Sequence, residues 1–171
     1  MIGVSLIMES EGIMTISSKL ESYLQSQKVK YQVITHPHSQ YSMETAAKAH
    51  VHGDALAKGV LVKDDNGFLM VVLPADYVVE LGSLHKLLGR EVAMVDEATL
   101  GEIFIDCELG AVPPIGMAYE LKTIWDPKSS LGKEDEVFFE AGDHQNLVRV
   151  SGVQFHELMA PAERGQFSHH I

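Results

Sequence analysis

Ile16, Leu20, Tyr23 and Leu24 recur at the spacing of one helix face, which predicts an amphipathic helix running to about Gln27. Ser18, followed three residues later by Glu21, reads as a capping box, in which hydroxyl and carboxylate each satisfy an orphan backbone N–H. The period then shortens. Tyr31, Val33 and Ile34 mark a strand at 31–34 that His36-Pro37 stops, and Ser42 is placed to cap a second helix through Lys48.

Two apolar runs, 58–63 and 68–73, flank Asp64-Asp65-Asn66-Gly67. Asn-Gly between such runs is the favoured hairpin turn, because both central residues need positive φ. The second run, from Phe68 to Leu73, is apolar at odd and even positions alike. A strand with two apolar faces belongs inside a sheet. Beyond it the pattern predicts a helix at 83–88 ended by Gly89, a strand at 91–95 and a helix at 97–103. After a turn-rich loop at 110–116, strands are expected near 118–125, 136–140 and 146–151, and a last helix at 153–159. The expected fold is a single mixed α/β domain with more pairing by hairpins than by parallel crossovers.

At 171 residues with 46% hydrophobic side chains, the chain suits one domain with an ordinary core. That domain is placed at 14–160. Residues 1–13 are expected to be a disordered extension or to precede the true start, with Met8 and Met14 as alternatives. Residues 161–171 are expected to form a tail in which His169 and His170 are disordered. The apolar opening lacks the basic n-region of a signal peptide, and no run approaches the roughly 18 apolar residues of a membrane span. One cysteine, Cys107, cannot bridge internally and suits a reducing cytoplasm. The net charge of −11 is unlike that of proteins gripping many phosphates. Any nucleic-acid contact is therefore small, confined to a local basic spot, or assisted by a partner.

Three places carry candidate chemistry. Lys58 shares a strand face with Val60 and Val62. Turned inward, it is a charge at the edge of an apolar pocket, costly unless it meets an anion; turned outward, it is a solvated strand end. In the loop from Gly110 to Gly116, two glycines bracket Pro113 and Pro114 and stiffen the turn. The prolines lack an N–H, so Gly110, Ala111, Val112, Ile115 and Gly116 are the groups able to hold a carbonyl oxygen as it gains charge. One well-placed donor of this kind is worth roughly 3–4 kcal/mol. A stiff connector without a ligand is the plainer alternative. His144 ends the turn Glu140-Ala141-Gly142-Asp143-His144; it is suited to substrate contact or proton transfer near neutral pH, or is simply exposed.

Other candidates are weaker. His36-x-His38 and His50-x-His52 have metal-ligand spacing, but no Cys or acidic cluster completes either set. Asp106 and Glu108 flank Cys107 and raise its pKa, which argues against a thiolate nucleophile. There is no phosphate-binding glycine loop and no G-x-S-x-G elbow.

Taken in chain order, the strand Lys58-Gly59-Val60-Leu61-Val62, the hairpin, the 110–116 loop, Phe138-Phe139-Glu140-Ala141-Gly142-Asp143-His144 and then Leu147-Val148-Arg149-Val150-Ser151 resemble the YbaK family. That family includes the editing domain inserted in bacterial prolyl-tRNA synthetases and its free-standing relatives. The resemblance spans residues 15–160. It implies a mixed α/β fold around a curved, barrel-like mixed sheet flanked by helices, and deacylation of mischarged tRNA in trans. The family's near-constant lysine falls on Lys58, its G-x-x-x-P loop on Gly110 and Pro114 with the next glycine at Gly116, and its A-G-x-H element on Ala141, Gly142 and His144. Gly59 departs from the small hydroxyl residue many members carry, and Pro113 from a residue with an N–H. Both departures bear on substrate preference.

On this resemblance, Lys58 holds a phosphate or ribose oxygen of the terminal adenosine. The backbone of 110–116, with Ala111 and Val112 in its first half, orients the ester, and the ribose 2′-hydroxyl assists the attack. Ala141, Gly142 and His144 contact the amino acid or ribose. Pocket size sets selectivity. No cofactor or metal is implied, and the partner is the acceptor end of an aminoacyl-tRNA, delivered by a synthetase or elongation factor, with no membrane involved. The competing expectation is a non-catalytic module of the same fold that binds a nucleotide or aminoacyl derivative, which the acidic surface and the departures at Gly59 and Pro113 favour.

Overall fold

The computed structural model describes residues 16–171; the extension expected at 1–13 lies outside the described residues, as do Met8 and Met14. Helix α1 (Ser18–Ser26), strand β1 (Gln32–Thr35) and helix α2 (Ser42–Ala49) come first. The hairpin β2 (Leu56–Asp64) and β3 (Gly67–Pro74) follows, then β4 (Tyr77–Val79), α3 (Leu81–Leu88), β5 (Ala93–Met94) and α4 (Glu97–Ile103). After the 110–116 loop come β6 (Lys122–Trp125), β7 (Glu136–Glu140), β8 (Asn146–Ser151), α5 (Gly152–Leu158), β9 (Glu163–Arg164) and β10 (Ser168–His170).

Seven strands run in the order β1-β8-β7-β2-β3-β6-β9, with β5 added to β2, and β10 pairs with β4 in a separate two-stranded sheet. Pairing is mixed: β1–β8, β8–β7 and β2–β3 are antiparallel, while β7–β2, β3–β6 and β6–β9 are parallel. This is the expected mixed α/β domain, and its strand path stays open, ending at β1 and β9.

Strand β3 is interior, as its two-faced apolar run predicted. Met70 and Val72 pack into the main core with Trp125, Phe139 and Phe155. Their alternates Leu69, Val71 and Leu73 pack on the opposite face with Leu84 and Phe167. A third, smaller cluster joins Ala46 of α2 to Leu56, Ala75 and Leu147. Both faces of the sheet centre are thus buried.

Several local expectations shift. The α1 cap is Ser17 rather than Ser18: its Oγ accepts from Leu20 N at 3.1 Å. Ser17 also donates to Asp106 Oδ2 at 2.6 Å, so a long-range contact chose between adjacent serines. Ser42 is the first residue of α2, not its cap. Tyr41 holds the cap position, and Gln40 N is satisfied instead by Glu44 Oε1 at 2.7 Å. In the hairpin, Asp64 pairs with Gly67, so Asp65 and Asn66 are the central turn residues. Neither has positive φ; the positive value, +130°, falls on Gly67, and Asp64 Oδ1 accepts from Asn66 N at 2.7 Å. The strand expected from 118 begins only at Lys122, because 116–119 coil into a 3-10 turn that Glu120 ends at φ +57°.

The expected tail at 161–171 is part of the fold. Strand β9 extends the main sheet beside β6, β10 pairs with β4, and Phe167 between them is fully buried. His169 and His170 are correspondingly ordered, against Glu80 and Asp76. No helix among the described residues is long and apolar enough to cross a membrane. Phe167→Ala is expected to lower stability by about 3–5 kcal/mol, read as a fall in the urea midpoint; a loss below about 1 kcal/mol would show that the segment is not part of the core.

Candidate functional site

Strand β2 has an unusual border. Along one edge it pairs with β3 from Ala57 to Asp64. On the other edge Leu56 and Ala57 pair with Phe138 and Phe139 of β7, and Val62 and Lys63 pair with β5. Between them, on this edge, Lys58, Gly59 and Val60 have no strand beside them among the described residues. A cavity of about 210 Å³ opens there, lined by these three residues and by Leu61, Met70, Met94, Val95, Leu100, Phe104, Val112, Gly110, Ser42 and Glu140. Its wall is largely aliphatic and aromatic, with Ser42, Lys58 and Glu140 supplying the polar side chains.

Lys58 is half-buried, and its Nζ donates to Ala75 O at 3.2 Å. Burial pulls its pKa below the usual lysine value, and Asp76 opposes that shift. The loop approaches from the other side because residue 59 is glycine. A Cβ there would lie 2.6 Å from Met70 Sδ and 3.0 Å from Pro114 Cα, so the departure at Gly59 is what lets the proline-stiffened loop close on the strand. Of the loop's candidate donors, Ala111 N–H is used, donating to Glu108 O at 3.1 Å. Among the described residues the N–H groups of Gly110 and Val112 find no partner within the chain, and both residues line the cavity. Ala111, Pro114 and Gly116 are buried behind this wall; at Gly116 a side chain would collide with Thr123 Oγ1, 2.2 Å from the Cβ position.

Ala141, Gly142 and His144 are also buried, yet do not line the cavity. Gly142 and His144 brace the segment leading into the loop that does, while Ala141 ties to the start of α1. Ala141 O accepts from Ser17 N, and Gly142 O accepts from Glu108 N, each at 2.7 Å. His144, at φ +62°, donates from Nε2 to Leu109 O, and a Cβ on Gly110 would sit 3.0 Å from its Cε1. A carbonyl only accepts, so Nε2 carries a proton, and the buried Nδ1 has no partner among the described residues.

Cys107 does not qualify as a nucleophile. Burial, with Asp106 beside it, pushes its thiol up to about 12. It sits in a cluster with Tyr119 OH at 3.2 Å and Asp106, whose oxygens also accept from Ser17 and Tyr119. His36 turns its Nδ1 to Pro37 O at 2.7 Å, and among the described residues no three His, Cys, Asp or Glu side chains gather as metal ligands would.

The residue that sequence reasoning missed is Glu140. It ends β7, one step past the last β2–β7 pair, Ala57–Phe139, so it comes level with Lys58 across the parting strands. It is 2% exposed. Thr45 Oγ1 donates to Oε2 at 2.8 Å, while Oε1 is buried without a partner among the described residues. Burial, reinforced by Asp143 and Glu108, pushes its pKa up to about 7. An acid closing the apolar run Val137-Phe138-Phe139 was the one available signal; read as a turn residue it carried no meaning.

Residues 36–158 match the family model for the aminoacyl-tRNA editing domain. The chain belongs to that family. A search of the curated proteins finds no match for this editing domain. Among solved structures, the hypothetical protein APE2540 superposes with a TM-score of 0.76 at 20% identity, over 89% of this chain and 100% of that one. A candidate trans-editing enzyme for prolyl tRNA synthetase does so at 0.74 and 18% identity, over 88% and 95%. A candidate signal transduction protein from Marinobacter aquaeolei VT8 contains the fold within a longer chain: TM-score 0.69, 18% identity, 88% of this chain but 30% of that one. At such identities the likeness is one of fold, which is the YbaK-like fold the sequence motifs suggested.

Two stability measurements probe this site. Gly59→Ser should cost about 1–3 kcal/mol, because the new atoms press on the backbone at Pro114; an unchanged denaturation midpoint would show the approach to be loose. For Glu140, the folded state keeps its proton up to about pH 7 while the unfolded chain releases it near the ordinary glutamate value of 4.5. The stability it contributes is present in full below 4.5 and is lost as pH rises to 7, on the order of 3 kcal/mol. Glu140→Gln should therefore flatten the stability profile over that window relative to wild type. Parallel profiles would refute the shift.

Proposed function

We propose that this editing domain hydrolyses the ester linking a small amino acid to the 3′-terminal adenosine of mischarged tRNA, acting in trans. The observation that carries the reading is the single cavity walled by both Lys58 and the first half of the 110–116 loop. At about 210 Å³ it is smaller than the roughly 300 Å³ at which drug-sized ligand pockets begin. Such a space suits an acyl group with the nucleoside at the mouth.

An aminoacyl ester is already activated, so catalysis needs position and electrostatic support more than a nucleophilic side chain. Water oxygen bonds to the acyl carbon, the carbon–oxygen bond to the ribose breaks, and the ribose oxygen leaves with a proton. Lys58 holds a phosphate or ribose oxygen of the terminal adenosine, and the ribose 2′-hydroxyl assists the attack. The free N–H of Val112 or Gly110 supports the carbonyl oxygen as charge develops. Gly142 and His144 act through the loop they brace, and Ala141 through its bond to the start of α1. Aliphatic and aromatic side chains set the size limit on the acyl group.

Aminoacyl-tRNA is the partner. The net charge of −11 favours a contact confined to the acceptor end, with a synthetase or elongation factor delivering the rest, in the cytoplasm. Wild type should deacylate at least one of alanyl-, seryl-, cysteinyl- or threonyl-tRNA. Lys58→Ala should reduce kcat/KM by about 100-fold or more. If no aminoacyl-tRNA is turned over and calorimetry finds an uncleavable analogue bound, the fold serves as a binding module instead.

A further inference from the structure

Glu140 is a buried acid with half its hydrogen-bonding capacity idle. Oε2 takes the Thr45 hydroxyl, whose oxygen is 2.5 Å from that of Ser39, and Oε1 has no partner among the described residues. An apolar side chain would fill this end of β7 at lower cost, since burying an unpaired carboxyl is unfavourable. Among the described residues no cation pairs with it. Lys58 lines the same cavity without forming an ion pair with Glu140, and the charged groups that act on it from the neighbouring turn and loop, Asp143 and Glu108, are both acids. An acid among acids, on a residue at the wall of a cavity and with an unpartnered oxygen that is buried in this structure, is suited to a cationic ligand that its side chain turns to meet.

The deacylase reading, on which this inference rests, supplies one. An α-aminoacyl ester carries an ammonium on the carbon next to the reacting carbonyl. Of the polar side chains lining the cavity, Lys58 repels it, Ser42 is neutral, and Glu140 alone is acidic. We propose that Glu140 binds the substrate's α-ammonium and makes the domain selective for acyl groups with a free amine over N-acylated ones. Formylated and peptidyl esters would then be spared by charge rather than by size alone. Binding the ammonium favours the carboxylate, so a protonated Glu140 must release its proton to solvent as ligand enters.

The test pairs binding with turnover. Calorimetry uses 3′-alanylamino-3′-deoxyadenosine, whose amide cannot be cleaved, against its N-acetyl derivative, on wild type and Glu140→Gln at pH 6 and 7.5. Wild type should prefer the free amine by about 10–100-fold at pH 7.5. Between pH 7.5 and 6 that preference should drop by about tenfold as Glu140 takes up its proton, with proton release growing. Glu140→Gln, which retains an acceptor for Thr45, should bind both compounds alike at either pH.

Equal wild-type affinity for the two compounds, or a preference that survives the substitution, would overturn the proposal. The wild-type pH comparison decides the matter even if the variant does not fold. Alanyl-tRNA and N-acetyl-alanyl-tRNA are followed in parallel. Amine-dependent binding without hydrolysis would remove the deacylase reading and leave the role of Glu140 standing. Hydrolysis of both esters at equal rates would do the reverse.

Discussion

Strand β2 is gripped along nearly all of one edge by β3, whereas on the other edge β7 reaches only its first two residues and β5 only two near its end. Everything at the site follows from that interrupted border. A fully paired strand would fill the space with a neighbour's backbone, and the sheet would present a continuous apolar layer to the helices. With the ladder broken at Lys58, Gly59 and Val60, a cavity forms inside a well-packed domain. The loop at 110–116 then closes it from outside, at a distance that only a glycine at 59 permits. Rigidity is supplied at both walls: β3 is buried on its two faces, and the segment leading into the loop is pinned by Gly142 and His144.

The polar groups at this place are costly for stability, and they are kept apart. Lys58 leans on a carbonyl, with Asp76 as its nearest electrostatic support. Glu140 leans on a hydroxyl and is pressed by acids. Had the two been paired, each would have neutralised the other and left an inert buried salt bridge. Separated across the gap, each retains the capacity to meet charge brought in by a ligand. By contrast, the thiol of Cys107 is spent inside the Ser17–Asp106–Tyr119 cluster, where it joins helix α1 to the loop region.

Much of the fold was legible in the chain. The hairpin, the interior position of β3, the helix ended by Gly89 and the short helix at 97–103 all follow from periodicity and from glycine placement, which are local properties. The errors were also local ones settled at long range. Ser17 rather than Ser18 caps α1 because Asp106, 89 residues away, bonds it. The segment after 160 looked like a tail because its apolar residues are few and widely spaced; Phe167 acquires meaning only when it meets Leu84 and Leu73 across the sheet.

Of the site, the motifs marked Lys58 and the 110–116 loop, because a lysine in an apolar strand and two prolines between glycines are visible one residue at a time. Glu140 was not visible, since its significance lies in burial, an unpartnered oxygen and nearness to Lys58, all products of β7 running parallel to β2. The chain by itself determined which segments become strands and helices and which backbone can bend, for those depend on side-chain spacing and permitted φ. Tertiary structure alone decided where pairing stops and which charges share a cavity, because those depend on contacts between residues roughly eighty apart, about which local periodicity says nothing.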